Sequence, residues 1–577
     1  MEYKVNNEEM RYLVKDVFDL ETQWKDIDRF SELSTDDALA ILSESARIAS
    51  EVMAPLNFSG DSEGCRLENG IVKVPSGFQE AFKLITEGGW LGFSGNPEFD
   101  GQGMPKSLGC LVEEMFWAAN TSLYLYGTLT VGAAMCIEEH GTPEQKNLYL
   151  PRLYSGKWTG AMALTESHAG TDLGIMRTKA LEQSDGTYSI SGQKIFITSG
   201  EHELAENIVH LTLARLPDAP AGSKGISLFI VPKYLPSDDG SPGDRNKWFS
   251  SSLESKMGVK GSATSVINYD GATGFLLGSE NGGLLSMFTM MNYERLSVGL
   301  QGLGAIDVAY QLSAAYAKER VQGRSPSGPK NPDEVADSLL VHPDVRRMLL
   351  TQRAYAEACR AFGVYVGHQL DRATHLKDQK SKRISELLTP VVKAFFTDKG
   401  FECAVMGQQV LGGHGYIKDW GLEQIVRDAR IGQIYEGTNG VQANDLVSRK
   451  IVRDGGVTMR EFIAEMRSAN LSSDYEQKFS EQCDLLLDLT DHIVNQAKQD
   501  PEFPGSISVD YLDLVGHVVC AWCWALMASN ATGDDFGRAK TITAQFFYER
   551  LLPRSLGLAE NIRATNNVAM QMPAELF

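Results

Sequence analysis

Tyr435-Glu436-Gly437-Thr438-Asn439-Gly440 is the stretch on which the reading of this chain turns, and it directly follows Arg427-Asp428-Ala429-Arg430-Ile431-Gly432-Gln433-Ile434. It sets a carboxylate between an aromatic ring and a glycine. Glycine lets a backbone come close to a ligand. A carboxylate against an apolar ring loses solvation, which raises its pKa and suits it to act as a general base. The plainer reading is a Gly-Thr-Asn turn carrying a solvated Glu436. The hexapeptide alone does not choose between the two.

Three segments upstream extend the pattern. They are Ala161-Met162-Ala163-Leu164-Thr165-Glu166 running to Gly170-Thr171-Asp172, then Gly192-Gln193-Lys194-Ile195-Phe196-Ile197-Thr198-Ser199-Gly200, then Gln409-Val410-Leu411-Gly412-Gly413-His414-Gly415. Each is a weak signal alone. In this order, and together with 427–440, they resemble the acyl-CoA dehydrogenase family over much of residues 80–450. The resemblance implies flavin-dependent α,β-dehydrogenation of an acyl-CoA thioester to the trans-2-enoyl-CoA. Glu436 takes the α-proton and the β-hydride passes to FAD. The amide N–H of the catalytic Glu and a flavin ribityl hydroxyl stabilise the thioester oxygen, a device often worth about 10²–10³ in rate per donor.

Other roles come by the same resemblance. Met162, Leu164 and Thr165 line the flavin. Phe196 stacks near it and Thr198 bonds near N5. Arg320 and Gln322 reach the diphosphate region of a partner subunit's cofactor, a task that suits the paired donors of arginine. Gln409 and Gly413 lie near the adenosine end, and Thr438 touches the flavin beside the catalytic loop. Thr171, Asn292, Arg295 and Gly437 are assigned to the substrate. Glu294, in Asn292-Tyr293-Glu294-Arg295-Leu296, stands where a minority of the family carries its base. Its plainer reading is an ion pair with a nearby arginine. Two carboxylates facing one pocket shift each other's pKa. FAD here implies no Rossmann crevice, because no Gly-x-Gly-x-x-Gly follows a strand and opens a helix.

Alternation along a strand gives a geometric expectation for the second segment. Ile195 and Ile197 point to one side as core, and Phe196 and Thr198 point to the other. Ile190-Ser191-Gly192-Gln193 reads as a hairpin turn.

The fold class expected is α+β, mostly α. Residues 1–155 form an N-terminal helical domain, with Ser34-Thr35-Asp36-Asp37 capping a helix from Leu33 to Ile48. Residues 156–285 form a middle antiparallel β-domain. Residues 286–453 form a four-helix bundle carrying the catalytic loop, and in it Leu284 to Ala315 reads as a buried helix thinned by Gly299, Gly302 and Gly304 for the approach of another backbone. Asp454-Gly455-Gly456 marks a boundary, and 457–577 form an extra C-terminal helical domain, interrupted by a loop from Asp500 to Ser506.

Composition bounds the rest. The 577 residues exceed one core, and 43% hydrophobic with 22% charged residues is ordinary for a globular protein. A net charge of −21 disfavours nucleic acid and anionic membranes. Leu514–Ala528 is apolar but short of the ~20 residues that cross a bilayer. Eight scattered cysteines suit a reducing, cytoplasmic setting, and Cys520 and Cys523 read as core side chains of one helix. No metal-ligand spacing stands out, so no metal is expected.

Segments such as Lys256-Met257-Gly258-Val259-Lys260-Gly261 and His342-Pro343-Asp344-Val345-Arg346-Arg347-Met348 resemble the long bacterial subgroup with a C-terminal extension. That resemblance implies 3-(methylthio)propanoyl-CoA as substrate, within dimethylsulfoniopropionate breakdown. The alternative is a medium- or long-chain fatty acyl-CoA of β-oxidation. The implied partners are an electron-transfer flavoprotein and a second copy of the chain in a homodimer. Two further classes stay open, an acyl-CoA oxidase and a nucleic-acid-associated, non-catalytic family member.

Overall fold

A computed structural model describes residues 3–237, 239–565 and 567–577. Helices begin where the sequence places their caps. Ser34 opens α1 (Thr35–Arg47) with a capping box. Its hydroxyl accepts the Asp37 N–H, and the Asp37 carboxylate accepts the Ser34 N–H. The long apolar helices α2 (Lys106–Ala119) and α3 (Thr121–His140) meet at Asn120, whose Oδ1 accepts the Leu123 N–H at 3.0 Å.

A seven-stranded sheet follows. Its strands are β1 (Trp158–Ala163), β2 (Lys179–Glu182), β3 (Tyr188–Thr198), β4 (Asn207–Ala214), β5 (Ser227–Pro232), β6 (Trp248–Leu253) and β7 (Thr264–Leu277). They run in the order β1-β4-β5-β7-β3-β2, with β6 also paired to β7. The expected sheet is antiparallel, and every pairing is so except one. β1 and β4 are parallel, with Trp158 opposite Asn207 and Ala163 opposite Thr212. Parallel neighbours need a long crossover, and the chain from 164 to 206, including β2 and β3, supplies it.

Two local expectations in β3 are corrected. Ile190-Ser191-Gly192-Gln193 is the interior of a continuous strand, not a hairpin turn. Gly192 is there for clearance, since a Cβ would lie 2.5 Å from Thr178 Oγ1 and 2.9 Å from Thr178 Cα. The alternation of residues 195–198 also fails. Ile197 faces Ser265 and Lys194 faces Ile267, so Ile195 and Phe196 together oppose Val266 in a bulge. Phe196 takes a φ of 60° there. The bulge buries Lys194 with Ile197, leaves Ile195 half-buried and turns Phe196 outward, 59% exposed.

The sheet is followed by α4 (Gly283–Glu319), α5 (Pro343–His375) and α6 (Gln379–Leu411), with a short α7 (Asn439–Asn444) after the Tyr435–Gly440 loop. α4 and α6 lie so close that only glycine fits at the seam. A Cβ on Gly302 would lie 2.5 Å from Phe396 O, and one on Gly400 would lie 2.7 Å from Gly302 O. A Cβ on Gly304 would lie 2.7 Å from Ala118 N of α2. The three glycines of α4 thus serve the approach of other backbones, as the sequence suggested.

The last block packs into the same core through α8 (Phe503–Ser529). The expected loop from Asp500 to Ser506 is shorter, because Pro504 lies in the first turn of α8, where its missing N–H costs nothing. At 27 residues α8 is also longer than the apolar stretch suggested, and 78% of its most apolar window is buried. Burial, not length, marks it as an interior helix. Gly516 of α8 sits against the Phe395 ring of α6, where a Cβ would lie 2.2 Å from Cδ2. Cys520 and Cys523 are free, buried side chains of α8. Buried Lys540 pairs with Glu9 and Glu357, tying the first and last parts of the chain to α5.

Gly302→Val overpacks the seam between α4 and α6. Thermal denaturation should show a loss of about 1–3 kcal/mol or more; an unchanged midpoint would mean that the seam is not tight.

Candidate active site

The seam brings α6 against the loop that carries Glu436. Lys393 of α6 is fully buried, and its Nζ donates to Gly437 O at 2.8 Å and to Asn439 Oδ1 at 2.9 Å. Asn439 Nδ2 donates to Asp398 Oδ1 at 2.8 Å and Thr397 Oγ1 at 3.0 Å, one turn further along the same helix. Gln433 Nε2 reaches the same Asp398 oxygen at 2.6 Å. From the other side, Gln442 Nε2 donates to Glu436 O at 3.1 Å, and Tyr435 OH donates to Gln301 Oε1 of α4 at 2.5 Å. These bonds hold Glu436 and Gly437 in left-handed backbone, with φ of 56° and 81°. Such a φ is routine for glycine and strained for glutamate.

The strain presents two groups. Among the described residues, the Glu436 carboxylate has no ion pair or hydrogen bond, and the Glu436 amide N–H has no acceptor. Loss of solvent raises the Glu436 pKa to about 7, against the opposing pull of Arg295 and Lys393. Burial brings the Lys393 ammonium down to about 7, against the opposing charges of Glu436 and Asp398. A carboxylate poised near neutrality, unpaired and on a fixed backbone, has the properties of a general base.

Glu294 faces the same space from α4. Burial, then the charge of Glu436, then that of Glu113, push its pKa well above the carboxylate range. The expected ion pair with an arginine is not formed. Arg295 turns instead to Asn292 Oδ1 at 3.1 Å, and its Nε is buried without a partner. The contacts of Glu294 are with Thr128 of α3, whose Oγ1 lies 3.3 and 3.4 Å from the two carboxyl oxygens. A Cβ on Gly132, one turn along α3, would lie 2.8 Å from Glu294 Oε1, so glycine leaves room for the acid.

The remaining sequence candidates fall into two groups. Near the sheet, Phe196 presents its ring outward from the β3 bulge, Thr198 is half-buried, and Ser199 Oγ is buried with no partner. The carbonyls of Leu164 and Thr165 are taken by Lys194 Nζ at 2.8 Å and the Ile195 N–H at 2.9 Å, which leaves their amides to face a ligand. Met162 is half-buried, while Thr171 and Asn292 are exposed. Thr438 Oγ1 caps α7 by accepting the Val441 N–H at 3.3 Å, and Gly437 O is already held by Lys393.

The second group lies at the far, C-terminal ends of α4 and α6, which Tyr316 OH and His414 Nδ1 join at 2.8 Å. Arg320, Gln322, Gln409 and Gly413 are all exposed there. Among the described residues the Arg320 guanidinium has no ion pair or hydrogen bond, and a Cβ on Gly413 would meet nothing within 4 Å. The end of α4 is about 40 Å along the helix from Glu294, at 1.5 Å per residue. One chain therefore does not bring this group to Glu436. An exposed aromatic ring with free amides and hydroxyls at one place, and a free guanidinium fork at the other, fit the ring and the diphosphate of FAD.

Sequence reasoning missed Lys393 and the Thr128 contact. Lys393 had a signal, as a lone lysine inside Pro390-Val391-Val392-Lys393-Ala394-Phe395-Phe396. A lysine is rarely buried unless it is paired. Thr128 had none, since its role depends on how α3 crosses α4.

Comparison with known proteins agrees with this geometry. Family models match most of the chain: acyl-CoA dehydrogenase, N-terminal domain over residues 35–157; middle domain over 161–272; C-terminal domain over 281–451; and acetyl-CoA dehydrogenase C-terminal like over 457–573. The chain is 41% identical to 3-methylmercaptopropionyl-CoA dehydrogenase of Ruegeria pomeroyi, over 96% of this chain and 97% of that protein. It is 33% identical to a broad-specificity linear acyl-CoA dehydrogenase of Mycobacterium tuberculosis, over 95% of each. An acyl-CoA dehydrogenase of Bacillus anthracis solved with FAD shares the fold with a TM-score of 0.73 at 20% identity, over 96% of this chain and 91% of that one. With an unpaired glutamate on a strained loop and this similarity along its whole length, the chain belongs to the acyl-CoA dehydrogenase family, the FAD-dependent enzymes that oxidise acyl-CoA thioesters.

Proposed function

We propose that the chain dehydrogenates 3-(methylthio)propanoyl-CoA between C2 and C3, with Glu436 as the base. The observation that carries the role of Glu436 is its unpaired carboxylate beside its own free amide N–H. The acyl group is proposed from the relative that is 41% identical. When bound, FAD supplies the hydride acceptor. Glu436 takes the proton from C2. Its amide N–H donates to the thioester oxygen as negative charge gathers there, the electrostatic task of an oxyanion hole. Arg295 and Lys393 lie near enough to oppose the rise in the Glu436 pKa, yet neither pairs with the carboxylate. Thr171, Asn292, Arg295 and Gly437 are proposed to border the substrate.

The same reading includes a homodimer. The two groups of cofactor-facing residues lie at opposite ends of α4, and a second copy would bring the Arg320 end of one chain to the Phe196 end of the other. α8 covers α6 through Gly516, which leaves that face closed to further assembly. An electron-transfer flavoprotein is proposed as the electron acceptor and the cytoplasm as the location, where eight free cysteines stay reduced.

Three outcomes are expected. Glu436→Gln should retain bound FAD and lose about 10²–10⁴ of the rate of flavin bleaching; an unaltered rate would remove Glu436 from the chemistry. The kcat/KM of the wild type should rise with pH through about 7 and level above it, because only the ionised Glu436 accepts a proton. A flat profile from pH 5 to 9 would contradict a base with this pKa. In anaerobic bleaching against a panel of acyl-CoAs, the methylthio compound should give the highest kcat/KM. A preference for a linear fatty acyl-CoA would overturn the narrower substrate, and rapid peroxide formation would replace the flavoprotein acceptor by O₂.

A further inference from the structure

The second glutamate is not explained by the reaction above. Glu294 is buried, touches no cation among the described residues, and is joined to a chain of hydroxyls that ends on an ion pair. The proton positions along that chain follow from counting donors. Glu113 pairs with Lys106 and is a carboxylate, so it only accepts. Ser297 Oγ lies 2.7 Å from Glu113 Oε2 and gives it its one proton. Ser297 Oγ accepts the indole N–H of Trp117 at 3.1 Å, and it also lies 3.1 Å from Thr128 Oγ1. Its proton being used, Ser297 can only accept from Thr128, whose one proton goes either to Ser297 at 3.1 Å or to Glu294 at 3.3 and 3.4 Å. When it fills the shorter contact, Thr128 has none left for Glu294, and the longer contacts are then a hydrogen bond with Glu294 as the donor.

An ionised Glu294 breaks this order. It would draw the Thr128 proton to itself and leave the Thr128 and Ser297 oxygens 3.1 Å apart with no proton between them. It would also put a second anion opposite Glu436, with no cation against it. The charged and titratable groups that face Glu294 are Glu436 and Tyr435 on the catalytic loop, Glu113 and Lys106 on α2, Tyr124 on α3 and Tyr293 on its own helix. Only Lys106 among these is a cation, and Glu113 already engages it.

We propose that Glu294 is a neutral carboxylic acid that donates through Thr128 and Ser297 to Glu113, and that it acts as a positioning residue by leaving the negative charge of the site on Glu436 alone. It is neither a second base nor half of a charged pair. Gly132 leaves space for it on α3, and the Glu113–Lys106 pair sets the direction of the whole chain from outside the reacting centre. The proposal rests on the reading of Glu436 as the base.

Glu294→Gln tests it first, because a side-chain amide donates to Thr128 as the protonated acid does. Flavin bleaching by the acyl-CoA substrate should stay within a few-fold of wild type, with the same pH profile. The infrared band of a protonated carboxylic acid present in the wild type should be missing from the variant. A loss of about a hundredfold or more, the scale of a missing general base, would overturn the proposal, as would an infrared difference showing a lost carboxylate instead. Glu436→Gln run in parallel separates the two failures. If that variant stays active the base is wrongly assigned, whereas if both variants are inactive only the role of Glu294 falls.

Reversing the chain gives a second test. In Glu113→Gln the amide N–H donates to Ser297, which then donates to Thr128, which donates to Glu294 and favours its ionised form. The pH profile of kcat/KM should move upward as Glu436 acquires a charged neighbour. The double variant with Glu294→Gln should return it to the wild-type position. An unmoved profile in a folded, flavin-bearing Glu113→Gln enzyme would contradict the inferred proton order. If that variant does not fold, the infrared comparison of wild type with Glu294→Gln decides the matter alone.

Discussion

Everything at this site depends on how α6 grips the catalytic loop. Lys393 and, one turn further along α6, Thr397 and Asp398 hold Gly437 O and the Asn439 side chain. Left-handed backbone at a non-glycine residue costs about 1–3 kcal/mol. A hydrogen bond returns about 0.5–1.5 kcal/mol net, and about 1.5–3 when one partner is charged. The several bonds around Asn439, one of them from an ammonium, are therefore enough to hold Glu436 at a φ of 56°. The loop is held through α6, and Gly302 and Gly400 let the backbone of α6 come close to that of α4. A packing detail of two helices thus determines where a carboxylate stands.

The electrostatics follow from the same arrangement. Placing Glu436 away from solvent raises its pKa, and Arg295 and Lys393 moderate the rise without touching it. Direct pairing would depress the pKa and occupy the oxygen that must take a proton. Without nearby cations, burial alone would leave the group protonated at neutral pH. The neutral form of Glu294 belongs to the same balance, since one anion opposite the substrate is a base whereas two are a repulsive pair. The buried polar chain through Thr128 and Ser297 links that balance to an ion pair on α2.

Much of this is legible in the sequence, for identifiable reasons. Glu436 stands out only in company, because the hexapeptide alone reads equally as a turn and it is the four segments in order that resemble the family. The glycines of α4 are legible because small residues in a long apolar helix most often make room for a neighbouring backbone. Ser34 announces its helix through the chemistry of capping. The misreadings share a cause as well. Gly192 has the local look of a turn residue, yet it makes room for Thr178 on a neighbouring part of the chain. Strict alternation misplaces Ile195, because a bulge set by the register with β7 gives its core position to Lys194 while Phe196 still faces outward. The parallel pairing of β1 with β4 and the grip of Lys393 are long-range facts, fixed by which elements meet and not by any local pattern. The Arg320 group can be named from sequence, but only the length of α4 shows that it lies too far from Glu436 to serve the same cofactor within one chain.

The account stands on Glu436 alone meeting C2 of the acyl group. The most direct measurement is a crystal structure of the FAD-loaded protein with an unreactive acyl-CoA analogue. The account predicts the Glu436 carboxylate within hydrogen-bond reach of C2, its amide N–H on the thioester oxygen, and Glu294 still bonded to Thr128. A structure in which Glu294 has left Thr128 to face C2, with Glu436 turned away, would contradict it.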